Sequence, residues 1–285
     1  MKIAFIGGGT MGEAMVKCLL NRRVAEPQDM VISDVSSERR EWLNREYKIR
    51  TLADNRKAIE GAELIVLAVK PQDLSQAMQD IKNLSPGQVV LSIVAGASLS
   101  SLCQGLNHRS VIRVMPNMPA QIGQGMNIWT ATAEVSQEQK DMARNFLGVL
   151  GEELYVADEK YVDMATALSG SGPAYVFLFI EALTDAGVYI GLPRHMAQKL
   201  AVQTVLGSAC TLQATGRHPA ELRNMVTSPG GTTAEALLVL ERGNLRSCML
   251  EAVAAAYGKA CGLSASFSKE GAEEKPARLR RRRIK

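Results

Sequence analysis

The sequence has few histidines and no closely spaced cysteines, and each of these shortages excludes a kind of site. Its five cysteines are an odd number and include no Cys-x-x-Cys pair, which predicts free thiols in the reducing cytoplasm. None of the three histidines lies at zinc-ligand spacing from another histidine or a cysteine, so no metal site is expected. Because no apolar run reaches the roughly 18 to 20 residues of a transmembrane helix, no membrane association is expected either.

The formal net charge of +4 originates at the C-terminus. Residues 269–285 carry eight Lys or Arg and three Asp or Glu, so the preceding 268 residues are close to neutral. This last segment has no apolar face, which predicts a basic, disordered tail. A short basic run without interleaved aromatic side chains offers no stacking platform for bases, so nucleic-acid binding is not expected.

Short apolar runs alternate with helical periodicity in the first half of the chain. Nearly continuous apolar runs indicate strands that are buried on both faces. Repeated β-α units of this length predict an α/β fold over residues 1–158, with a doubly wound parallel sheet. The predicted strands are Lys2–Ile6, Met30–Ser33, Leu64–Val69, Gln88–Val94 and Val111–Met115, with further strands at Asn127–Thr130 and Glu153–Val156 around a helix over Gln137–Leu150.

Strand patterns disappear after about residue 160. Apolar residues recur at helical spacing instead, so residues 159–268 are predicted to form an all-helical second domain. Two of its predicted helices, Val176–Ile190 and Ala197–Leu212, carry apolar residues around much of their circumference. A helix with one buried face needs fewer apolar residues than this. The excess predicts that the helical domain is a dimerisation domain and that the protein is a homo-oligomer.

The segment Gly7-Gly8-Gly9-Thr10-Met11-Gly12 fits the Gly-x-Gly-x-x-Gly pattern of dinucleotide-binding proteins. It follows the first predicted strand and opens a helix, which is the context that gives the pattern its meaning. Gly7 permits a tight turn, Gly9 lets the backbone approach a pyrophosphate, and Gly12 allows close helix–strand packing. Unpaired N–H groups at the helix start then attract the phosphates. The segment therefore predicts a Rossmann-type domain that binds NADPH or NADH.

Asp34 ends the second predicted strand, 22 residues after Gly12. A carboxylate at this point accepts hydrogen bonds from ribose hydroxyls and repels a 2′-phosphate, which favours NADH over NADPH. Arg39 and Arg40 follow closely and are alternative partners for a 2′-phosphate. Ligands of parallel sheets bind at the carboxyl ends of the strands. Three further segments occupy such ends, namely Ala68-Val69-Lys70-Pro71, Ala95-Gly96 and Pro116-Asn117-Met118-Pro119, and the last of them is expected beside the nicotinamide.

Two glycine-rich segments in the helical half predict a site for a small substrate. In Ser169–Tyr175, small residues precede Pro173 and allow a ligand or a second backbone to approach closely. In Val226–Thr233, N–H groups and hydroxyls at a helix start suit a small carboxylate. Each segment also serves as a helix cap. Together with a dinucleotide fold that needs a substrate, they favour an enzyme.

The sequence resembles pyrroline-5-carboxylate reductases over about residues 1–265. The most specific part of the resemblance runs from His218 to Glu241 and includes Ser228-Pro229-Gly230-Gly231-Thr232-Thr233. The other matching segments are Phe5–Gly12, Ala68–Pro71, Leu168–Tyr175 and Gly191–Arg194. The resemblance implies the last step of proline biosynthesis, in which NADPH or NADH reduces a cyclic imine to L-proline. It also implies a homodimer interlocked through the helical domain, often assembled into a decamer.

The resemblance further implies roles for individual residues. Thr233 is expected to be catalytic, by hydrogen-bonding the imine nitrogen and assisting its protonation. Asp34 departs from the polar or basic residues that usually receive the 2′-phosphate in this family. The expected substrate-binding residues are Ser171, Ser228, Gly230, Gly231 and Thr232. The expected cofactor-binding residues are Ile6, Gly7, Gly8, Gly9, Thr10, Met11, Gly12, Asp34, Asn55, Ala68, Val69, Lys70, Pro71, Ala95 and Gly96.

Two other functions fit parts of the pattern. A β-hydroxyacid dehydrogenase combines a dinucleotide fold with a helical domain, but its chemistry needs a lysine on the helix after the glycine-rich segment. The segment Pro173–Gly191 contains no lysine. A nucleotide-binding regulatory protein without turnover is the other alternative, and the Ser228–Thr233 loop argues against it.

Overall fold

The computed structural model describes residues 1–273, with their side chains described through residue 264. By its internal contacts the chain divides into two compact units. The first consists of Met1–Gly170 together with the described residues from Ala256 onward, and the second consists of Ser171–Ala255.

An eight-stranded sheet forms the centre of the first unit. Its strands are β1 (Ile3–Ile6), β2 (Met30–Ser33), β3 (Arg50–Leu52), β4 (Leu64–Leu67), β5 (Val89–Ser92), β6 (Val111–Met115), β7 (Gly125–Ala131) and β8 (Gly151–Tyr155). Their order across the sheet is β3-β2-β1-β4-β5-β6-β7-β8. The winding direction therefore changes between β1 and β4, which is where ligands bind in open sheets of this kind.

Helices connect the strands of this unit. They are α1 (Thr10–Asn21), α2 (Ser37–Tyr47), α3 (Asn55–Ala58), α4 (Leu74–Asp80), α5 (Leu99–Leu106), α6 (Gln137–Gly148) and α7 (Lys160–Ala165). The chain then makes one π-helical turn over Thr166–Gly170. Short 3₁₀ turns at Pro27–Asp29, Pro71–Asp73 and Met118–Ile122 complete the connections.

Alternate residues of β1 enter two different cores. Ile3 and Phe5 pack in one apolar cluster, and Ala4 and Ile6 pack in the other, on the opposite face of the sheet. All four residues of β1 are buried. This arrangement confirms the prediction from the continuous apolar run, since a strand covered on both faces has no solvent side.

The second unit is entirely helical. Its helices are α8 (Gly172–Tyr189), α9 (Arg194–Thr215), α10 (Pro219–Met225), α11 (Thr232–Arg242) and the beginning of α12 (Leu245–Glu273). The unit buries few side chains. On α9, a helix of 22 residues, the buried residues are Ala197 and Ala201. The many apolar side chains of this unit therefore remain accessible within one chain.

The structure differs from the sequence-based predictions at three places. The sheet is mixed, because β7 runs antiparallel to β6, and it includes β3, which the sequence pattern did not predict. The described residues 269–273 continue α12, whereas a disordered tail was predicted from Lys269; residues 274–285 lie outside the described chain. By internal contacts the first unit extends to Gly170, while the domain boundary after residue 158 stays a prediction.

Candidate active site

Two close backbone approaches shape the glycine turn between β1 and α1. Gly7 has a φ of +101°, and a Cβ atom there would lie 2.7 Å from the carbonyl oxygen of Ala68. A Cβ atom on Gly12 would lie 2.5 Å from the carbonyl oxygen of Gly7. Real Cβ atoms essentially never approach this closely. Both positions therefore require glycine for the packing of the protein itself.

Gly9 is different, because a Cβ atom on it would meet no heavy atom of the described chain within 4 Å. Gly9 is the N-cap residue of α1, and no side chain of the described residues caps this helix. The first N–H groups of α1 are thus available to an anion, next to open space in front of Gly9. A dinucleotide pyrophosphate fits this place both sterically and electrostatically.

Asp34 fastens the glycine turn to the end of β2. One carboxylate oxygen accepts a hydrogen bond of 2.8 Å from the N–H of Gly8. The other accepts one of 2.9 Å from the N–H of Ser36. A carboxylate oxygen accepts more than one hydrogen bond, so Asp34 retains the capacity to bind ribose hydroxyls.

A cavity of about 420 Å³ opens at the carboxyl ends of β1, β2 and β4. It brings together eight of the predicted cofactor-binding residues: Ile6, Gly7, Gly9, Asp34, Asn55, Ala68, Val69 and Lys70. Seven others do not line it, namely Gly8, Thr10, Met11, Gly12, Pro71, Ala95 and Gly96. Sequence reasoning missed Ser33, Val35, Gln72, Asp73, Gln76, Ala77 and Asp80. Most of the missed residues lie on or near α4, for which only helical periodicity was apparent.

Asn55 links three walls of this cavity. Its side-chain oxygen accepts a hydrogen bond of 2.6 Å from the hydroxyl of Ser33, at the end of β2. Its amide nitrogen donates one of 2.9 Å to Asp80, at the end of α4. The side chain is thereby held in one orientation facing the expected adenosine end of the site.

The loop after β6 is tied to the π-helical turn by Asn117. The side-chain nitrogen of Asn117 donates a hydrogen bond of 3.1 Å to the carbonyl of Ser169, and its oxygen accepts one of 2.9 Å from the N–H of Met126. The predicted nicotinamide loop, Pro116–Pro119, is therefore fixed in position relative to the first predicted substrate segment at its Ser169 end.

Arg113 is a buried charge in the middle of β6. Its side chain is 4% exposed and donates two charged hydrogen bonds, of 2.7 Å to Glu159 and 2.6 Å to Asp163. The remaining partners of the acids lie in other elements: the N–H of Leu99 bonds to Glu159, and the hydroxyl of Ser264 bonds to Asp163. This network attaches α7, and with it the π-helical turn, to the sheet.

The second glycine-rich segment lies in the second unit. Gly230 has a φ of +67°, and the N–H of Gly231 closes a turn on the carbonyl of Ser228 at 3.0 Å. Gly231 is the N-cap of α11, which starts without a side-chain cap within the described residues. Ser228, Gly230, Gly231, Thr232 and Thr233 thus surround one helix start, as predicted, while Ser171 precedes a different helix, α8.

Comparisons with known proteins agree with this geometry. Residues 159–263 match the family described as pyrroline-5-carboxylate reductase dimerisation, and residues 2–96 match the family described as NADP oxidoreductase, coenzyme F420-dependent. Pyrroline-5-carboxylate reductase from Synechocystis sp. is 41% identical over 257 residues, which cover 90% of this chain and 96% of the relative.

Two solved structures are also similar over nearly the whole chain. A pyrroline-5-carboxylate reductase from Coxiella burnetii has a TM-score of 0.85 and 35% identity, covering 92% of this chain and 98% of its own. The Plasmodium falciparum enzyme, solved with NADP bound, has a TM-score of 0.84 and 29% identity, covering 93% and 98%.

Proposed function

The chain belongs to the pyrroline-5-carboxylate reductase family, and from this premise we propose that it reduces the cyclic imine Δ1-pyrroline-5-carboxylate to proline, the last step of proline biosynthesis. The observation that best supports this function within the molecule is the open space at Gly9, before an uncapped helix start. The enzyme is an NAD(P)H-dependent oxidoreductase. Oxidation of NADH or NADPH that requires pyrroline-5-carboxylate, with proline as product, tests the proposal.

The reaction requires little from the side chains. When bound, the reduced nicotinamide supplies the hydride that adds to the imine carbon. The chain has to bind the substrate carboxylate, hold the substrate ring in one orientation against the nicotinamide, and keep the imine nitrogen protonated. We assign the carboxylate to the N–H groups and hydroxyls of Ser228–Thr232, because an uncapped helix start attracts anions.

Thr233 is the proposed partner of the imine nitrogen. It stands at the second position of α11, directly after the loop assigned to the carboxylate. In the substrate both groups are joined to one small ring, so they have to be recognised by neighbouring protein groups. A hydroxyl at this place accepts a hydrogen bond from the protonated imine and holds the ring in one orientation.

Replacing Thr233 with alanine is expected to lower kcat about 10- to 150-fold, since the loss of one hydrogen bond to a charged group costs about 1.5 to 3 kcal/mol. The cofactor affinity should stay the same. Steady-state kinetics with pyrroline-5-carboxylate and direct NADH titration measure both effects. Thr233→Ser is the matched control, because it keeps the hydroxyl and should retain most of the activity. Full activity in Thr233→Ala would remove this residue from the mechanism.

We propose that the second unit forms a homodimer. Apolar side chains on α8 are open to solvent in the single chain, with Phe177 52% and Leu178 66% exposed. By length and composition one helical stretch of the described chain, Lys160–Tyr189, could cross a membrane, and 6% of its 18-residue apolar window is buried. That finding is weak evidence for a membrane, because an apolar surface that associates with a second copy meets the same criterion.

Phe177→Glu is expected to convert the dimer to monomers at micromolar concentration, because it places a charge in the proposed apolar interface. Sedimentation equilibrium measures the change and also tests the larger decamer that the family resemblance implies. Ile122→Glu is the control, since Ile122 is an exposed apolar residue of the first unit and its replacement should leave the mass unchanged. A wild-type monomer with full activity would contradict the proposed dimer.

The cysteines support a reducing compartment, and we propose that the enzyme is cytoplasmic. All five are free in the structure.

The structure adds no support for the two alternative functions. Among the described residues, α8 carries no lysine, on which a hydroxyacid dehydrogenase would depend. The Ser228–Thr233 loop leads to a helix start suited to a substrate carboxylate, which a purely regulatory protein would not need.

A further inference from the structure

Two arginines of α2, Arg39 and Arg40, lie beside the adenosine end of the cofactor cavity without lining it, and the protein itself engages both guanidinium groups. The Nε of Arg39 donates a hydrogen bond of 2.5 Å to the carbonyl of Gly8, and its Nη2 pairs with the carboxylate of Glu13. The guanidinium also stacks on Trp42, at 4.8 Å from the ring centroid. The guanidinium of Arg39 therefore has hydrogen-bond partners along its edge and an aromatic ring against one face.

Glu13 is in turn held in place by Tyr47. The Tyr47 hydroxyl donates a hydrogen bond of 2.9 Å to the second carboxylate oxygen of Glu13. Burial, followed by the bond to Glu13, raises the pKa of Tyr47 to about 12, so this hydroxyl remains a donor over the whole working range of an enzyme. The side chains of Glu13 and Arg39 are 24% and 27% exposed, which limits competition from water.

Arg40 is engaged by backbone carbonyls. Its Nη1 donates hydrogen bonds of 2.6 Å to the carbonyl of Asp34 and 3.0 Å to that of Val35. The cavity walls themselves carry three acids, Asp34, Asp73 and Asp80, against the single basic residue Lys70. A phosphomonoester brings a charge of about −1.5 to −2 at neutral pH, which this lining repels.

We propose that Glu13 is a specificity-determining residue that makes this enzyme selective for NADH, by holding Arg39 away from the position of a 2′-phosphate. Asp34 binds the ribose hydroxyls of NADH, and the Glu13–Arg39 pair denies NADPH the cation that would offset the acidic lining. The inference rests on the proposed function, because it requires that the cavity at β1, β2 and β4 binds the adenosine ribose.

Equilibrium titration of the full-length protein with NADH and with NADPH tests the inference without turnover. Wild-type protein should bind NADPH at least about tenfold more weakly than NADH, which is 1.4 kcal/mol. Glu13→Gln should lower the Kd for NADPH at least about fivefold, since it releases Arg39 from a charge-assisted bond. The Kd for NADH should change by less than about twofold.

Two further variants separate specificity from general structural effects. Glu38→Gln removes an exposed acid from the first turn of α2 and should leave the NADPH-to-NADH ratio of Kd values unchanged. Adding Arg39→Gln to Glu13→Gln should restore the weak NADPH binding of the wild type. The NADPH affinity gained in Glu13→Gln should also fall with added salt, as expected for a contact to phosphate.

Equal wild-type affinities for the two nucleotides would overturn the selectivity but not the proposed function. A parallel loss of both affinities in Glu13→Gln, with a lower Tm, would show that Glu13 is merely structural. Absence of binding of either nucleotide to the wild type would instead contradict the proposed function itself.

Discussion

Replacing Gly9 with alanine is expected to weaken NADH binding about 100-fold while changing the free energy of unfolding by less than about 1 kcal/mol, the cost of a poorer N-cap residue. The added methyl group would enter space that no described residue occupies, so it meets no side chain or backbone atom there. The pyrophosphate would have to retreat from the N–H groups of α1, and overpacking of one methyl group costs about 1 to 3 kcal/mol. NADH titration and urea unfolding measure the two quantities separately.

Gly12→Ala is the matched comparison, because the same methyl group would there collide with the carbonyl of Gly7. We expect this variant to lose stability as well as affinity, since α1 must shift away from β1. A Gly9→Ala protein that binds NADH normally would show that the cofactor does not approach the helix start as proposed. A Gly9→Ala protein that is destabilised as much as Gly12→Ala would show that the space in front of Gly9 is not open.

Arg113→Met is expected to reduce the free energy of unfolding by about 3 kcal/mol, the lower end of the range for a broken buried ion pair. The lower end applies because Glu159 and Asp163 retain some contact with solvent, 30% and 19% of their side chains. Removing the guanidinium leaves two carboxylates that each keep a neutral donor, the Leu99 N–H for Glu159 and the Ser264 hydroxyl for Asp163. Urea denaturation monitored by circular dichroism measures the loss.

Arg144→Met is the control, because Arg144 also pairs with an acid, Asp141, but on the surface. Exposed pairs contribute about 0 to 1 kcal/mol, so this variant should differ little from the wild type. Combining Arg113→Met with Glu159→Gln and Asp163→Asn should recover part of the stability. Equal stability of the Arg113 and Arg144 variants would mean that α7 is held to the sheet by other contacts.

The sequence predicted the parts of the fold whose signals are local. The strands β1, β2, β4, β5 and β6 are apolar runs that are recognisable without knowledge of their neighbours. β3 consists of Arg50–Leu52, with no apolar run of its own, and it forms because β2 offers it an edge. The reversed direction of β7 likewise depends on its pairing with β6. The hydrophobic pattern of the sequence does not show the direction in which a strand pairs.

The candidate site divides in the same way. The glycine turn and Asp34 stand at a characteristic spacing along the sequence, so they could be predicted. The cavity residues on and near α4 could not, because they depend on how that helix packs against the sheet. The Glu13–Arg39 pair joins residues 26 positions apart and has no local signal. Arg113 did carry a signal that went unused: a charged residue within the apolar run Val111–Met115 requires buried acids elsewhere.

The stacking of Arg39 on Trp42 gives the protein an intrinsic optical probe. The sequence contains two tryptophans. Trp129 is fully buried in the core, whereas Trp42 is partly accessible and carries the guanidinium on its ring. Fluorescence that acrylamide quenches therefore originates mainly from Trp42, and a shift in its emission reports any departure of Arg39 from its stacked position. A variant in which Arg39 is released toward a 2′-phosphate should therefore show a shifted Trp42 emission before any substrate is added.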